Sequence, residues 1–159
     1  MPSARIQTLA TPEMTRQLAV VLAPMLTAGD TILLSGPIGA GKTHFARALI
    51  QTRLATAGRV EDVPSPTFTL VQTYDDGRHE IWHADLYRLT SADEVIELGL
   101  DDAFETAICI VEWPDRLGAD APDTACRIDF ALAEEGRIAH IQWDNPRCGI
   151  WLDRVQEVA

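Results

Sequence analysis

The sequence is short of several things, and each shortage narrows the protein. No apolar run approaches the roughly 18–20 residues that a spanning helix needs, so no membrane segment is expected. The first residues, MPSARIQTLATPEM, hold no apolar core and no cleavage site, and are not expected to be a signal peptide. Cysteine is scarce: Cys109, Cys126 and Cys148 are odd in number, far apart and free of any CxxC pair. Cys109 lies inside the apolar run AICIV, as a small buried residue. That pattern excludes a disulfide frame and a cysteine zinc site, and fits a reducing cytoplasm. Positive charge is scarce too, with 13 basic against 24 acidic residues and a net charge of −11. No basic stripe is visible, so the chain is not expected to grip nucleic acid on its own surface. The acidity fits solubility or a basic protein partner. There is no internal repeat and no low-complexity linker, and 159 residues suit one compact domain, 1–159.

What is present reads as helices mixed with strands. Thr11-Pro12-Glu13 is a helix start, with a capping hydroxyl, proline at the first position and an acid near the positive end. Met14, Leu18, Val21, Leu22 and Met25 form its expected buried face, Pro24 should bend it, and Gly29 ends it. TILLS (31–35) is a buried strand. A glycine loop follows, then a helix from about Lys42 to Ala57 with Phe45, Leu49 and Leu54 inward and Gly58 as its stop. Residues 59–66 read as loop. TFTLVQTY and HEIWHADLY read as strands joined at Asp75-Asp76-Gly77-Arg78, where Asp-Gly signals a hairpin. Ser91-Ala92-Asp93-Glu94 is a capping box opening a short helix closed by Gly99, and a second short helix spans 101–106. AICIVEW (107–113) is a buried strand. CRIDFALA and RIAHIQW alternate around Glu134-Glu135-Gly136 as a second hairpin. Ile150, Leu152, Val155 and Val158 mark a last amphipathic helix. The class is α/β, with a mixed sheet that includes two β-hairpins.

The stretch SGPIGAGKTHF carries the chemistry. Gly36, Gly41, Lys42 and Thr43 fit GxxxxGK[ST], between a predicted strand and a predicted helix, the context this phosphate loop requires. Glycines let the backbone of Gly36, Ile38, Gly39, Ala40 and Gly41 curl so that N–H groups point at phosphate oxygens. The helix N-terminus adds partial positive charge. Lys42 places a full charge by the β- and γ-phosphates, and the Thr43 hydroxyl ligates Mg²⁺.

A phosphate loop needs a further carboxylate at the end of an apolar strand. AICIVE ends at Glu112 and EIWHAD at Asp85. The first run is the more apolar and better fits a central strand, so Glu112 is assigned to Mg²⁺, directly or through water, and Asp85 is a second acid near the γ-phosphate. Ser65-Pro66-Thr67 fits a loop that closes on metal and γ-phosphate, with Thr67 as the closing residue, and fits a plain turn equally well. No NKxD reads guanine, and no arginine-bearing lid of a small-molecule kinase is evident. Three readings follow: an accessory ATPase, a free-standing small-molecule kinase, and a module that binds nucleotide without turning it over. His79, His83 and His140 show no ligand spacing and read as ordinary hydrogen-bonded or surface residues.

Several segments taken together, GPIGAGKTHFARAL, VPSPTFTLVQTY, HADLYRL, ELGLDD and IVEWPD, resemble the bacterial TsaE (formerly YjeE) family, ATPases that assist threonylcarbamoyl-adenosine modification of tRNA. The resemblance runs from about residue 8 to 145. It implies a P-loop NTPase-like three-layer fold and a slow, Mg²⁺-dependent ATPase. It implies two sugar-kinase-like partners, a catalytic TsaD-type and a scaffold TsaB-type protein, which modify the adenosine next to the anticodon; tRNA is met only through them. Carried over by residue, Lys42 and Thr43 hold phosphate and Mg²⁺, Glu112 is the metal carboxylate, Asp85 the functional acid of DLYR, and Thr67 part of a switch-like loop. Trp113 lies near the nucleotide, and Pro12 and Gly136 match nucleotide contacts outside the loop. The family loop commonly reads GDLGAGKTT; Pro37, Ile38 and His44 depart from it.

Overall fold

The computed structural model describes residues 4–91 and 93–158, the side chain of Val158 excepted. Seven strands form one mixed sheet: β1 (Ala4–Leu9), β2 (Thr31–Ser35), β3 (Val71–Asp75), β4 (Glu80–Asp85), β5 (Ile108–Glu112), β6 (Cys126–Leu132) and β7 (Arg137–Gln142), in spatial order β1-β7-β6-β2-β5-β4-β3. The centre, β6-β2-β5-β4, is parallel; β3, β7 and β1 add antiparallel pairs at the two sides. TILLS and ICIVE are apolar almost throughout because helices cover both of their faces, which removes the in–out alternation of a half-exposed strand.

One face packs α1 (Pro12–Leu22), α2 (Lys42–Thr56) and α5 (Arg147–Val158) over Ile32, Leu34, Ile110, Ile128 and Phe130. The other packs α3 (Asp93–Glu97) and α4 (Leu100–Thr106) over Leu33, Ala84 and Val111. The three layers and both hairpins agree with the sequence reading. In α2, Lys42, Phe45, Ala46, Leu49, Ile50 and Arg53 are buried at three- and four-residue spacing. Lys42 therefore opens the inward stripe of its helix.

Several elements differ from expectation. β1 went unread in the sequence: only Leu9 of its six residues is buried, so it carries almost no periodic signal. The strand expected from Thr67 begins only at Val71, because Thr67–Leu70 form a turn closed by Leu70 N–H on the Pro66 carbonyl at 2.8 Å, with Leu70 left-handed at φ +67°. In α1, Thr15 and Ala19 are buried while Met14, Val21 and Met25 are half-buried at its margin. Pro24 does not bend a continuing helix; the chain tightens into a 3₁₀ turn, Ala23–Met25. Glu94 reaches back to the Thr90 N–H at 3.2 Å and to the Thr90 hydroxyl, one residue before the expected cap, and Ala92 of the expected box lies outside the described residues. In α5 the inward face is Cys148, Trp151, Leu152 and Val155, while Ile150 is 48% exposed; the expected Val158 contact lies outside the described side chains. Trp151 takes the inward place because its indole N–H reaches the Leu18 carbonyl at 2.9 Å, joining α5 to α1.

Candidate functional site

The site lies where the parallel strands end. β2 runs into the 36–41 loop, whose geometry requires glycine at its base: Gly36 has φ +134°, and a Cβ there would stand 2.4 Å from the Phe130 carbonyl oxygen. Gly41, at φ +111°, precedes α2 and has no side chain to cap it, so the first N–H donors of the helix are available to an anion. Lys42 Nζ donates to the Gly36 carbonyl and to the Pro37 carbonyl at 3.0 Å, and sits 4.2 Å from the centre of the Trp113 ring. Burial lowers the Lys42 pKa; Glu112, Asp85 and Asp129 pull in the opposite direction without cancelling it.

The two carboxylates end neighbouring strands in register, Asp85 on β4 beside Glu112 on β5. Glu112 Oε1 accepts from the Thr43 hydroxyl at 2.7 Å, and Glu112 Oε2 lies 2.7 Å from His83 Nε2. Asp85 Oδ2 accepts from the Ser65 hydroxyl at 3.2 Å, Ser65 lies 3.0 Å from the Thr67 hydroxyl, and Asp85 Oδ1 accepts the Tyr87 N–H at 3.1 Å. Of the two strand-ending acids, Glu112 is the one joined to Thr43.

Ile38, Gly39, Gly41, Lys42, Thr43, Thr67, Asp85, Glu112 and Trp113 all line one cavity of about 490 Å³. Pro12 and Gly136 do not reach it. They line an adjoining cavity of about 330 Å³ together with Gly39, Ala40 and Gly41. The loop is the wall between the two, and His44 borders both, its Nε2 2.9 Å from the Pro12 carbonyl. Gly36 lines neither; its carbonyl receives Lys42.

The sequence reading passed over several neighbours. His83 lies two residues before Asp85 on a strand and so shares its face, a signal that was present. Tyr87 packs on Trp113 with ring centres 4.9 Å apart, and Arg88 lies over the Phe68 ring at 4.5 Å. Arg137 donates to the Gly39 carbonyl at 3.0 Å across 98 residues of chain, which no local pattern announces.

The donor set, a hydroxyl and a carboxylate, is of the oxygen kind that hard divalent cations take. Among the described residues no group of three or more His, Cys, Asp or Glu side chains could hold a metal by itself. Mg²⁺ beside phosphates takes only one or two protein ligands and fills the rest with phosphate oxygens and water. Thr43 and Glu112 suit that role, because the hydroxyl proton is committed to Glu112 and the Thr43 lone pairs are left for a cation. Among the described residues no helix is long and apolar enough to cross a membrane.

Comparison with known proteins points the same way. The family model for threonylcarbamoyl adenosine biosynthesis protein TsaE matches residues 9–139. The tRNA threonylcarbamoyladenosine biosynthesis protein TsaE of Rickettsia conorii is 41% identical over 110 residues, 69% of this chain and 61% of that protein. The Rickettsia bellii protein of the same name is 33% identical over 129 residues, 81% of this chain and 88% of that protein. The match thus spans about three fifths of the Rickettsia conorii protein and most of the Rickettsia bellii one. The crystal structure of Bacillus subtilis YdiB superposes with a TM-score of 0.77 at 25% identity, over 99% of this chain and 97% of that one. The chain belongs to the TsaE family of threonylcarbamoyl adenosine biosynthesis proteins.

Proposed function

We propose that this chain is a slow, Mg²⁺-dependent ATPase, a single P-loop domain over 1–159, acting in the cytoplasm as an accessory of the complex that adds threonylcarbamoyl to the adenosine beside the tRNA anticodon. The observation that carries the chemistry is the 2.7 Å bond between Thr43 and Glu112 one residue after the loop lysine. In a TsaE-family chain, that arrangement supports a metal–phosphate site over a capped helix.

Each part has a role in this reading. The amides of Gly39 and Gly41 and the first turn of α2 bind the phosphates. Lys42 sets its charge against the β- and γ-oxygens. Thr43 and Glu112 would hold Mg²⁺, which when bound offsets the charge of the phosphate oxygens. Asp85 holds the Ser65–Thr67 loop over the cavity through Ser65, so Thr67 stands at the γ-phosphate end. The cavity of Pro12 and Gly136 takes the adenine. At a net charge of −11 the chain does not release counterions from an RNA backbone, so tRNA is held by the two sugar-kinase-like partners, catalytic and scaffold.

The test is reconstitution. With both partners, tRNA and the carbamoyl donor, multiple-turnover modification should require this chain and ATP, while the isolated chain hydrolyses ATP slowly and does not retain tRNA. Full multiple-turnover modification without the chain, or tight salt-sensitive tRNA binding by it alone, would overturn the reading. Rapid phosphoryl transfer to an added small acceptor would replace it with a kinase.

A further inference from the structure

His83 is fully buried, yet its second nitrogen has no partner among the described residues. Nε2 lies 2.7 Å from Glu112 Oε2, while Nδ1 is buried without a hydrogen bond. The sheet register sets His83 in a row with Gln72 on β3, Ile110 on β5 and Ile32 on β2. Ile110 and Ile32 are fully buried. An aliphatic side chain would suit that row and would strand no nitrogen, so packing does not account for an imidazole here. Its bond to Glu112 does.

A carboxylate oxygen only accepts, so Nε2 carries the proton and donates it in this contact. We infer that His83 is a positioning residue for the cation site: its Nε2–H holds Glu112 Oε2 and so keeps Oε1 on the Thr43 hydroxyl, where the two residues would hold a cation. The chain of contacts is continuous, from His83 to Glu112 to the Thr43 hydroxyl, whose lone pairs would then be left for a cation. Without His83 the carboxylate is free to rotate, and Thr43 loses a fixed acceptor for its proton. The partner of a ligating group commonly sets its orientation in this way, and its loss weakens metal affinity by about 10–100-fold. The inference rests on the reading of Thr43 and Glu112 as the protein partners of Mg²⁺.

Two measurements test it. Long-range ¹H–¹⁵N correlation on ¹⁵N-histidine protein, without metal or nucleotide, should show His83 protonated at Nε2, its signals identified by their loss in His83→Gln. A spectrum with no proton on Nε2 overturns the inference. The second follows intrinsic fluorescence with ATP during Mg²⁺ titration. His83→Leu should raise the half-saturating Mg²⁺ about tenfold or more, leave nucleotide binding in EDTA unchanged and leave the Tm no lower. His83→Gln, which keeps an N–H donor, should recover most of the metal response. A wild-type Mg²⁺ requirement in His83→Leu, or equal losses in Leu and Gln with a fall in Tm, overturns the positioning role alone. A wild type indifferent to Mg²⁺ overturns the functional reading and this inference with it.

Discussion

Asp85 and Glu112 stand side by side at the ends of adjacent parallel strands, and they answer to different partners. Glu112 joins Thr43 on α2 to His83 beneath it; Asp85 joins Ser65 of the preceding loop to the Tyr87 backbone. Two acids of similar sequence context therefore have separable tasks. Glu112→Gln should lower Mg²⁺-dependent hydrolysis by about tenfold or more while ATP binding without metal stays near wild type. Asp85→Asn should keep the Mg²⁺ requirement and loosen the 65–70 loop. Steady-state kinetics over a Mg²⁺ series separates them; loss of the Mg²⁺ requirement in Asp85→Asn alone would reverse the assignment.

Lys42 should set both affinity and its pH dependence. Lys42→Ala removes a charge-assisted contact worth ~1.5–3 kcal/mol, which is about a tenfold to hundredfold loss of ATP affinity by calorimetry. Its pKa lies below 10.5, chiefly because the ammonium is buried. The cation binds phosphate, so ATP affinity should fall as pH rises through that lowered pKa, before a solvated lysine would lose its proton. The stability of the nucleotide-free protein moves the other way: between the lowered pKa and 10.5 the unfolded chain binds more protons, so this residue's contribution rises with pH. An ATP affinity flat with pH in Lys42→Ala and sloped in the wild type is the expected pair of results.

Trp113 should be the reporter of nucleotide. It is held left-handed at φ +59°, in contact with both the Lys42 ammonium and the Tyr87 ring. Trp143 and Trp151 pack against each other in the core under α5, and Trp82 lies against Gly99. Replacing Trp113 with Phe should remove most of the ATP-induced fluorescence change; an undiminished response would place the signal elsewhere.

Much of this site was legible because its signals are local. The loop, Lys42, Thr43 and the two strand-ending acids each follow from a short run of residues and its period. The misses share a different cause. Arg137 reaches Gly39 only after the second hairpin folds back beside α1, and His83 has no metal-ligand spacing because it meets Glu112 across two strands. β1 is held by its pairing with β7 rather than by an apolar face. Ile150 was read inward because isoleucine is apolar, whereas Trp151 has both the larger apolar body and a partner for its N–H.

Arg53 and Asp76 form a buried pair at 2.8 Å, about three turns or ~16 Å along α2 from Lys42. Arg53 also donates to the carbonyls of Ala23 and Leu26, so the pair ties α2, the β3–β4 hairpin and the 3₁₀ turn that follows α1 together. Asp76→Ala leaves a buried guanidinium without its charge partner and should cost about 3–5 kcal/mol in urea unfolding, with little effect on ATP affinity in the folded protein. Burial pushes the Asp76 pKa up, but the N–H groups of His79 and Arg78 and the Arg53 charge outweigh it, and the net shift is downward from 3.8. Its contribution is therefore complete above that value and lost as pH falls through the lower folded one. The acid limb of a stability–pH curve should be shallower in Asp76→Ala.

Gly136 tests the second cavity. It sits in the β6–β7 turn at φ +76°, and a Cβ there would come within 2.3 Å of the Leu9 carbonyl oxygen and 2.7 Å of Ala10. Both neighbours are backbone, so a clash cannot be relieved by a rotamer change. The left-handed conformation alone costs a non-glycine residue about 1–2 kcal/mol. Gly136→Ala must therefore push the turn away from the start of α1, opening the wall opposite Pro12, and it draws on Arg137, which holds the Gly39 carbonyl at 3.0 Å. If this cavity takes the adenine, ATP affinity should fall by more than the affinity for Mg²⁺-tripolyphosphate, which needs only the loop, Lys42 and Thr43. Calorimetry on the two ligands gives the comparison. Equal losses for both would mean that the substitution acts on the phosphate loop through Arg137, and unchanged binding of both would remove the base from this cavity.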